Sequence, residues 1–473
     1  MAVSQVSIAP LDWRRFAEVL TPDRLAALRE TAEHGRQLFD GRVLWTVNST
    51  ARGGGVAELL TSLIAYVRGG GVDARWMVIG GNPDFFRVTK RIHNRLHGFE
   101  GDGGPLTDDE RAVYERALED SAHELAQLVQ PGDAVLLHDP QTAGLVAPLV
   151  ERGAQVVWRC HVGLDRPNEL AREAWRFLHP YVEPADAYVF SRESFVWEDL
   201  DRSRLSIIPP SIDAFSPKNA PMDAATVDAI LGVTGIAARN GAGQPTFVRQ
   251  DGGPGRVDRP AEAVQARPLE PSDRVLVQVS RWDRLKDPIG VMEGFARIAD
   301  EAPTGHLMLA GPSTAAVADD PEGAQVLRDC LAHREGLDAS VRDRVHLVSL
   351  PMDDLEENAA IVNAVQRRAQ VLAQKSLAEG FGLTVAEGMW KARPVIGTQV
   401  GGIQDQIADG QNGVLVEPED LDQFGQAALD LLTNEERARE LGEAARETVR
   451  DQFLGSRTLE QYFELFEKLL SAP

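Results

Sequence analysis

Two cysteines in 473 residues, Cys160 and Cys330, are too few and too far apart for a disulfide framework or a zinc site, so both read as buried thiols. No apolar run reaches the ~18 residues of a membrane helix, and the opening MAVSQVSIAPLDW lacks the charged start and apolar centre of a secretory signal. A cytoplasmic protein is therefore expected. Positive charge is scarce as well: 49 Lys and Arg against 72 Asp and Glu leave a net charge of −23. That balance argues against nucleic acid or an anionic membrane as a partner. It serves solubility, and a salt-rich cytoplasm would favour it too. The dinucleotide fingerprint G-x-G-x-x-G is missing after the first strand, which disfavours an NAD-dependent dehydrogenase.

What the chain does contain is an α/β pattern of two-domain length, since 473 residues exceed what one hydrophobic core supports and 43% hydrophobic residues suffice for ordinary cores. Residues 11 to 40 read as one or two amphipathic helices. Residues 43–47 read as a buried strand and 48–55 as a loop, while Val56, Leu59, Leu60, Leu63, Ile64 and Val67 mark one helix face. Further strands are expected at 75–79, 134–137, 155–160, 187–190 and 205–208, then at 274–279, 306–310, 344–348, 370–372, 394–396 and 413–416. Alternation of this kind predicts parallel sheets covered on both faces. Pro209-Pro210-Ser211-Ile212-Asp213 reads as a hinge, and 237–273, rich in Gly, Pro, Arg and Gln, as a long, partly mobile surface insertion. The expected division is a first domain over 1–213, a linker with the insertion over 214–273, a second domain over 274–450, and a C-terminal helix over 451–473 that packs back on the first domain.

In such sheets function collects at the carboxyl ends of the strands. Asn48, His138-Asp139, and the run RCHVGLDRPN with His161, Asp165 and Asn168 fall there, although a lone histidine is more often a hydrogen-bonded structural residue. Gly53-Gly54-Gly55 at a helix start can wrap a phosphate or a sugar, or simply make a tight turn. SRWDRLKD places Arg281 and Lys286 beside one loop, where two cations can hold a diphosphate or stand as exposed charges. The stretch 375–404, KSLAEGFGLTVAEGMWKARPVIGTQVGGIQ, is the most informative. Glu379 shares a loop with Gly380 and Gly382, a helix begins at Thr384, and seven residues separate Glu379 from Glu387. Unpaired N–H groups in a first helical turn attract an anion by about 0.3–2 kcal/mol. Both carboxylates can then reach hydroxyls of one sugar nucleotide. The plainer reading is a T-x-x-E capping box from Thr384 and Glu387.

SRWDRLKD, the E-x7-E pair in EGFGLTVAE and the two Rossmann-like halves together resemble the retaining GT-B glycosyltransferases that include glycogen synthase and sucrose synthase. Within that group, VNSTARGGGVAELL, ARWMVIGGNPDFFRVTKRIHNRLHG, HDPQTAGL, RCHVGLDRPN, PPSIDAFSPKN and EGFGLTVAEGMWKARPVIGTQVGGI resemble the trehalose glycosyltransferring synthases, from about Leu11 to the C-terminus. The insertion at 237–273 departs from that pattern. The resemblance implies an α/β GT-B fold, two Rossmann-like domains with parallel sheets facing a central cleft. It implies transfer of glucose from a nucleoside diphosphate glucose to free glucose, with retention. On this resemblance Glu379, Arg281, Lys286 and His161 form the catalytic set: Arg281 and Lys286 on the diphosphate, Glu379 on glucose hydroxyls, His161 on the donor sugar. Gly54, Gly55, Gly382, Leu383, Thr384 and Glu387 bind the donor, with Glu387 on the ribose. Asn48, Asp139 and Asn168 are the acceptor candidates. No tightly bound cofactor and no metal site are implied; the co-substrate is ADP-glucose or UDP-glucose, with Mg²⁺ left open. The implied partners are small sugars and the nucleotide sugar, and a homodimer is also left open. The competing readings are a trehalose phosphorylase using glucose 1-phosphate, a glucosyltransferase with another small acceptor, and a silent sugar-nucleotide sensor.

Overall fold

The computed structural model describes residues 2–51, 54–239, 241, 243–314 and 321–471. The chain divides into two units, Met1–Ser211 with Leu454–Pro473, and Ile212–Phe453. In the first unit β1 (Val3–Val6), β2 (Val43–Asn48), β3 (Asp73–Ile79), β4 (Ala134–His138), β5 (Gln155–Cys160), β6 (Ala187–Phe190) and β7 (Leu205–Ile207) form one sheet in the order β1-β3-β2-β4-β5-β6-β7. All pairings are parallel except that of β1, which runs antiparallel on β3 with Val3 opposite Ile79. The sequence pattern missed β1 because VSQV buries only Val3 fully, too little for a periodic signal.

Helices cover both faces of this sheet, so its central strands are apolar throughout. Trp45, Val135 and Leu137 join one cluster with Tyr114 and Trp158. Leu44, Leu136 and Trp76 join another, closed by Tyr462, Leu465 and Phe466 of the helix Gly455–Leu470. That last helix is amphipathic, and its apolar stripe has the sheet of the first unit to bury against.

The second unit repeats the plan with β10 (Glu262–Val264), β11 (Arg274–Val279), β12 (Gly305–Pro312), β13 (Val345–Leu350), β14 (Val371–Gln374), β15 (Val395–Thr398) and β16 (Val414–Val416), in the order β10-β13-β12-β11-β14-β15-β16. Here the structure departs from the expected linker and insertion. The range includes a helix, Ala224–Val233, an antiparallel pair, β8 (Thr246–Val248) with β9 (Pro254–Arg256), and the edge strand β10, antiparallel on β13. Ion pairs hold this segment where apolar periodicity does not. Arg249 bonds Asp354 (2.6 Å) and Glu356 (2.9 Å), and Arg259 pairs with the buried Glu357. Three-residue strands tied down by arginine leave no alternating pattern to read.

In both sheets the strand order reverses beside the first parallel strand, between β2 and β4 and between β11 and β14. Helices following the two strands of such a pair leave on opposite faces, which opens a crevice at their carboxyl ends.

A polarised chain fixes the edge segment at the other end of the second sheet. Arg267 donates to His306 Nε2 (3.3 Å), His306 and His346 share a 2.9 Å bond, and His346 Nδ1 lies 3.0 Å from Gln265 Oε1. Burial, then the neighbouring His306, lowers the His346 pKa to about 3. An unfolded chain takes up that proton near pH 6.5. Stability from this group is therefore complete above about pH 6.5 and is lost as the pH falls towards 3, by up to about 2 kcal/mol at pH 5. His346→Gln keeps a donor for Gln265 and an acceptor for His306. Urea unfolding at pH 7 and pH 5 is expected to show a smaller acid loss in this variant than in the wild type; equal losses would exclude His346 as the source.

Candidate active site

In the second unit the crevice lies between the ends of β11 and β14. After β11 the chain forms the turn carrying Arg281, Asp283 and Lys286. Asp283 fixes it, accepting from Leu285 N–H (2.8 Å) and from the exposed Arg281 (3.1 Å). After β14 comes the loop carrying Glu379. Lys286 Nζ lies 2.6 Å from Glu379 Oε2, which also accepts from Ser376 Oγ (3.1 Å) and Gln374 Nε2 (3.3 Å). Two residues stitch the loops together: Gln278 accepts from Lys375 N–H (3.0 Å) and donates to Lys286 O (2.8 Å), while Leu377 N–H bonds Leu285 O (2.8 Å). Lys286 and Glu379, 93 residues apart in sequence, thus meet at the strand ends, and Arg281 stands on the same turn as Lys286.

The helix here starts one residue earlier than the pattern indicated, spanning Leu383–Trp390 with Gly382 as its N-cap at φ +80. Thr384 and Glu387 form no capping box. Glu387 is buried instead, with Lys218 Nζ 3.4 Å from Oε1 and Gln366 Nε2 donating to Oε2 (3.1 Å). Burial raises its pKa, but the charges of Lys218 and Lys391 outweigh that, leaving it below the usual glutamate value. Lys391 Nζ donates to Glu387 O (3.1 Å) and Asn219 Oδ1 (2.9 Å). The fully buried Lys375 pairs with Asp287 and donates to Pro418 O (2.8 Å). The whole chain has six lysines, and four of them, Lys218, Lys286, Lys375 and Lys391, belong to these contacts; Lys90 and Lys468 are exposed in the first unit.

In the first unit the corresponding crevice lies beside β2 and β4. Gly54 and Gly55 open the helix Gly54–Gly69, and Gly53 lies outside the described residues. Asp139, directly after β4, has φ +64 and accepts from His161 N–H (2.8 Å). Burial pushes its carboxyl up to about 6, against the pull of that N–H and of the Arg159 charge. His161 Nε2 lies 3.0 Å from His138 Nδ1, and Arg159 Nε–H donates to His161 Nδ1 (3.3 Å). Burial, then the Arg159 charge, holds both imidazoles well below the usual histidine value.

Asn48 and Asn168 both hold hydrogen bonds within the first unit. Asn48 accepts from Trp76 Nε1 (2.8 Å) and donates to Thr50 O (2.7 Å). Asn168 caps the helix Glu169–Val182, accepting from Ala171 N–H (3.0 Å), and donates to Gly98 O (2.9 Å). Sequence reasoning passed over Gln278, Gln374, Lys375, Asp287 and Lys218. A signal for the first three was present: polar residues closing otherwise apolar strands, in VLVQVS and VLAQKS.

Residues 46–197 match the family described as the trehalose synthase N-terminal domain, and residues 261–448 match group 1 glycosyl transferases. The chain is 34% identical over 454 residues to the trehalose synthase of Pyrococcus horikoshii, covering 96% of this chain and 95% of that relative. The chain belongs to the trehalose synthase family. This family member is a hexosyltransferase of trehalose metabolism. Its GT-B fold is shared with the sucrose-phosphate synthase of Thermosynechococcus elongatus (TM-score 0.65, 18% identity, 91% of this chain and 100% of that one). The match to the trehalose phosphorylase of Pleurotus pulmonarius is weaker, 26% identity over 86% of this chain and 54% of the relative.

The Glu379 loop of this trehalose synthase family member depends on a close backbone approach. Gly401 has φ +50, and a Cβ there would overlap the Glu379 carbonyl oxygen. Gly401→Ala is therefore expected to displace Glu379 and to lower hexosyl transfer at least tenfold. The control is Gly235→Ala, at φ +77 with no atom near a built Cβ. It carries only the left-handed penalty of about 1–2 kcal/mol and is expected to keep its rate. Equal rates for the two variants would remove the steric argument.

Proposed function

We propose that this protein transfers glucose from a nucleoside diphosphate glucose to the anomeric hydroxyl of free glucose, with retention, forming α,α-trehalose. The observation that carries this reading is the Lys286 ammonium 2.6 Å from Glu379 Oε2, beside a helix whose N-cap is a left-handed glycine. An ammonium and free helix N–H groups suit a diphosphate leaving group, and a loop carboxylate suits sugar hydroxyls. Near full-length similarity to trehalose synthases, against half-length similarity to a phosphorylase, supports the nucleotide-dependent reaction.

In this reading Arg281 and Lys286 hold the diphosphate and offset the charge that develops as it departs. Backbone N–H groups of Gly382, Leu383 and Thr384 add donors; Gly54 and Gly55 offer donors of the same kind at the start of their own helix in the first unit. Glu379 takes glucose hydroxyls. The ribose contact of Glu387 requires its carboxylate to exchange Lys218 for ribose hydroxyls. Asp139 is the acceptor residue whose carboxylate has, among the described residues, a single protein hydrogen bond, from His161 N–H. The departing phosphate itself accepts the acceptor's proton, so no dedicated base is needed, and attack occurs on the face the leaving group vacates.

The test is product analysis by NMR with glucose and, in parallel, ADP-glucose, UDP-glucose, GDP-glucose or glucose 1-phosphate, each with Mg²⁺ and with chelator. Trehalose from a nucleotide donor is expected. Trehalose only from glucose 1-phosphate would establish a phosphorylase, and no disaccharide in any tube would overturn the acceptor. Lys286→Ala is expected to keep its fold by circular dichroism and to lose turnover on the order of 10²–10³-fold; near-normal kcat would sink the role assigned to Lys286.

A further inference from the structure

We infer that Arg159, held by Tyr462 of the C-terminal helix, is a positioning residue that locks His161 into a single imidazole tautomer and so makes that helix part of the catalytic apparatus. The inference rests on the reading that His161 serves the donor sugar. The geometry behind it is independent of that reading.

Arg159 is fully buried. Its Nη2 donates to Ile208 O (3.0 Å), its Nη1 donates to the Tyr462 hydroxyl, and its Nε–H donates to His161 Nδ1 (3.3 Å). A guanidinium has donors only, so His161 Nδ1 must be an acceptor and cannot carry a proton. A neutral imidazole keeps one proton, which therefore sits on Nε2. The bond between His161 Nε2 and His138 Nδ1 at 3.0 Å then has one direction: His161 donates and His138 accepts. The reverse direction would leave His161 without any proton, as an imidazolate. A doubly protonated ring would point N–H against N–H at Arg159. Burial beside the same cation opposes that charged form as well.

The rule propagates. With Nδ1 accepting, neutral His138 carries its proton on Nε2, a buried atom without a hydrogen-bond partner among the described residues. The relay runs from Arg159, which Tyr462 holds by accepting from Nη1, to His161 and on to His138, and ends in a donor without a partner among the described residues. Buried donors are seldom left unused, so the chain is poised to pass an N–H to an acceptor oxygen. His161 can turn its Nε2–H from His138 to a sugar hydroxyl without changing tautomer, since Arg159 keeps the opposite nitrogen occupied. Tyr462 ties this setting to a helix some 300 residues away in sequence, which packs on the same sheet.

The test uses ¹⁵N-histidine-labelled full-length protein. Long-range ¹H–¹⁵N correlations distinguish Nε2–H from Nδ1–H imidazoles, with His161→Gln supplying the assignment. Wild-type protein is expected to show His161 as the Nε2–H form. Arg159→Met is expected to release it to a mixture or to Nδ1–H and to lower kcat on the order of 10- to 100-fold, with KM for the nucleotide sugar little changed. Tyr462→Phe removes only the phenol, preserves the buried ring, and is expected to shift both readouts in the same direction by less; Arg159→Lys, which cannot reach three acceptors in a fork, is expected not to restore the tautomer. An Nδ1–H His161 in the wild type overturns the proposal, as does an unchanged tautomer with unchanged kcat in Arg159→Met. If Arg159→Met does not fold, the wild-type spectrum and Tyr462→Phe still decide. Absence of trehalose from every wild-type incubation, together with an Nε2–H His161, would overturn the proposed reaction and leave the tautomer lock standing.

Discussion

A parallel sheet packed on both faces by helices has no face on which to keep polar groups, and every feature of this molecule's chemistry follows from that exclusion. Strand interiors must be apolar, as Val135–Leu137 and Val275–Val277 are, and a polar side chain finds a partner only where the strand ends. Strand order then decides which ends matter. Where it reverses, two loops diverge and leave space, and His138, Asp139, Lys286 and Glu379 all stand at or just beyond such ends.

Charge at these ends has a partner and, apart from the exposed Arg281, is buried or half-buried. Glu387 stays ionised away from water because Lys218 and Lys391 outweigh the cost of its burial, and Gln366 takes up a second lone pair. Lys375 is matched by Asp287 and a carbonyl, Arg159 by a phenol, a carbonyl and an imidazole. Removing one partner of such a set leaves the other buried and unpaired, which is why these clusters act as fixed frames and not as loose surface pairs.

Much of this frame was legible in the sequence, and the limits are physical. The parallel strands announced themselves because burial on both faces writes continuous apolar runs. Strand-end polarity pointed to Asn48, His138, Asp139 and His161, while the SRWDRLKD loop pointed to Lys286 and the glycine-bearing loop before a helix to Glu379. Three kinds of feature were hidden. Short edge strands such as β1 and β10 are too brief to show a period, and those of 237–273 are held by arginine pairs that look like a disordered composition. The Thr384 and Glu387 spacing fits a capping box, yet Gly382 starts the helix and Glu387 answers a lysine distant in sequence. Asn48 bonds Trp76 and Asn168 caps a helix start, and no local pattern in the sequence announces either bond.

The lysine distribution has a reason in the same exclusion. Arginine is a wide planar fork suited to surfaces and to several acceptors, whereas an ammonium is a point charge on a thin stem that fits a narrow buried slot. This chain uses arginine nearly everywhere, and four of its six lysines stand in the paired contacts of the second unit. A practical consequence concerns attachment to solid supports. Amine-coupling resins meet exposed lysines at Lys90 and Lys468, both on the first unit, while the four lysines of the second unit are engaged in ion pairs and hydrogen bonds. Immobilised through those amines, the molecule is held by one unit and leaves the other untethered.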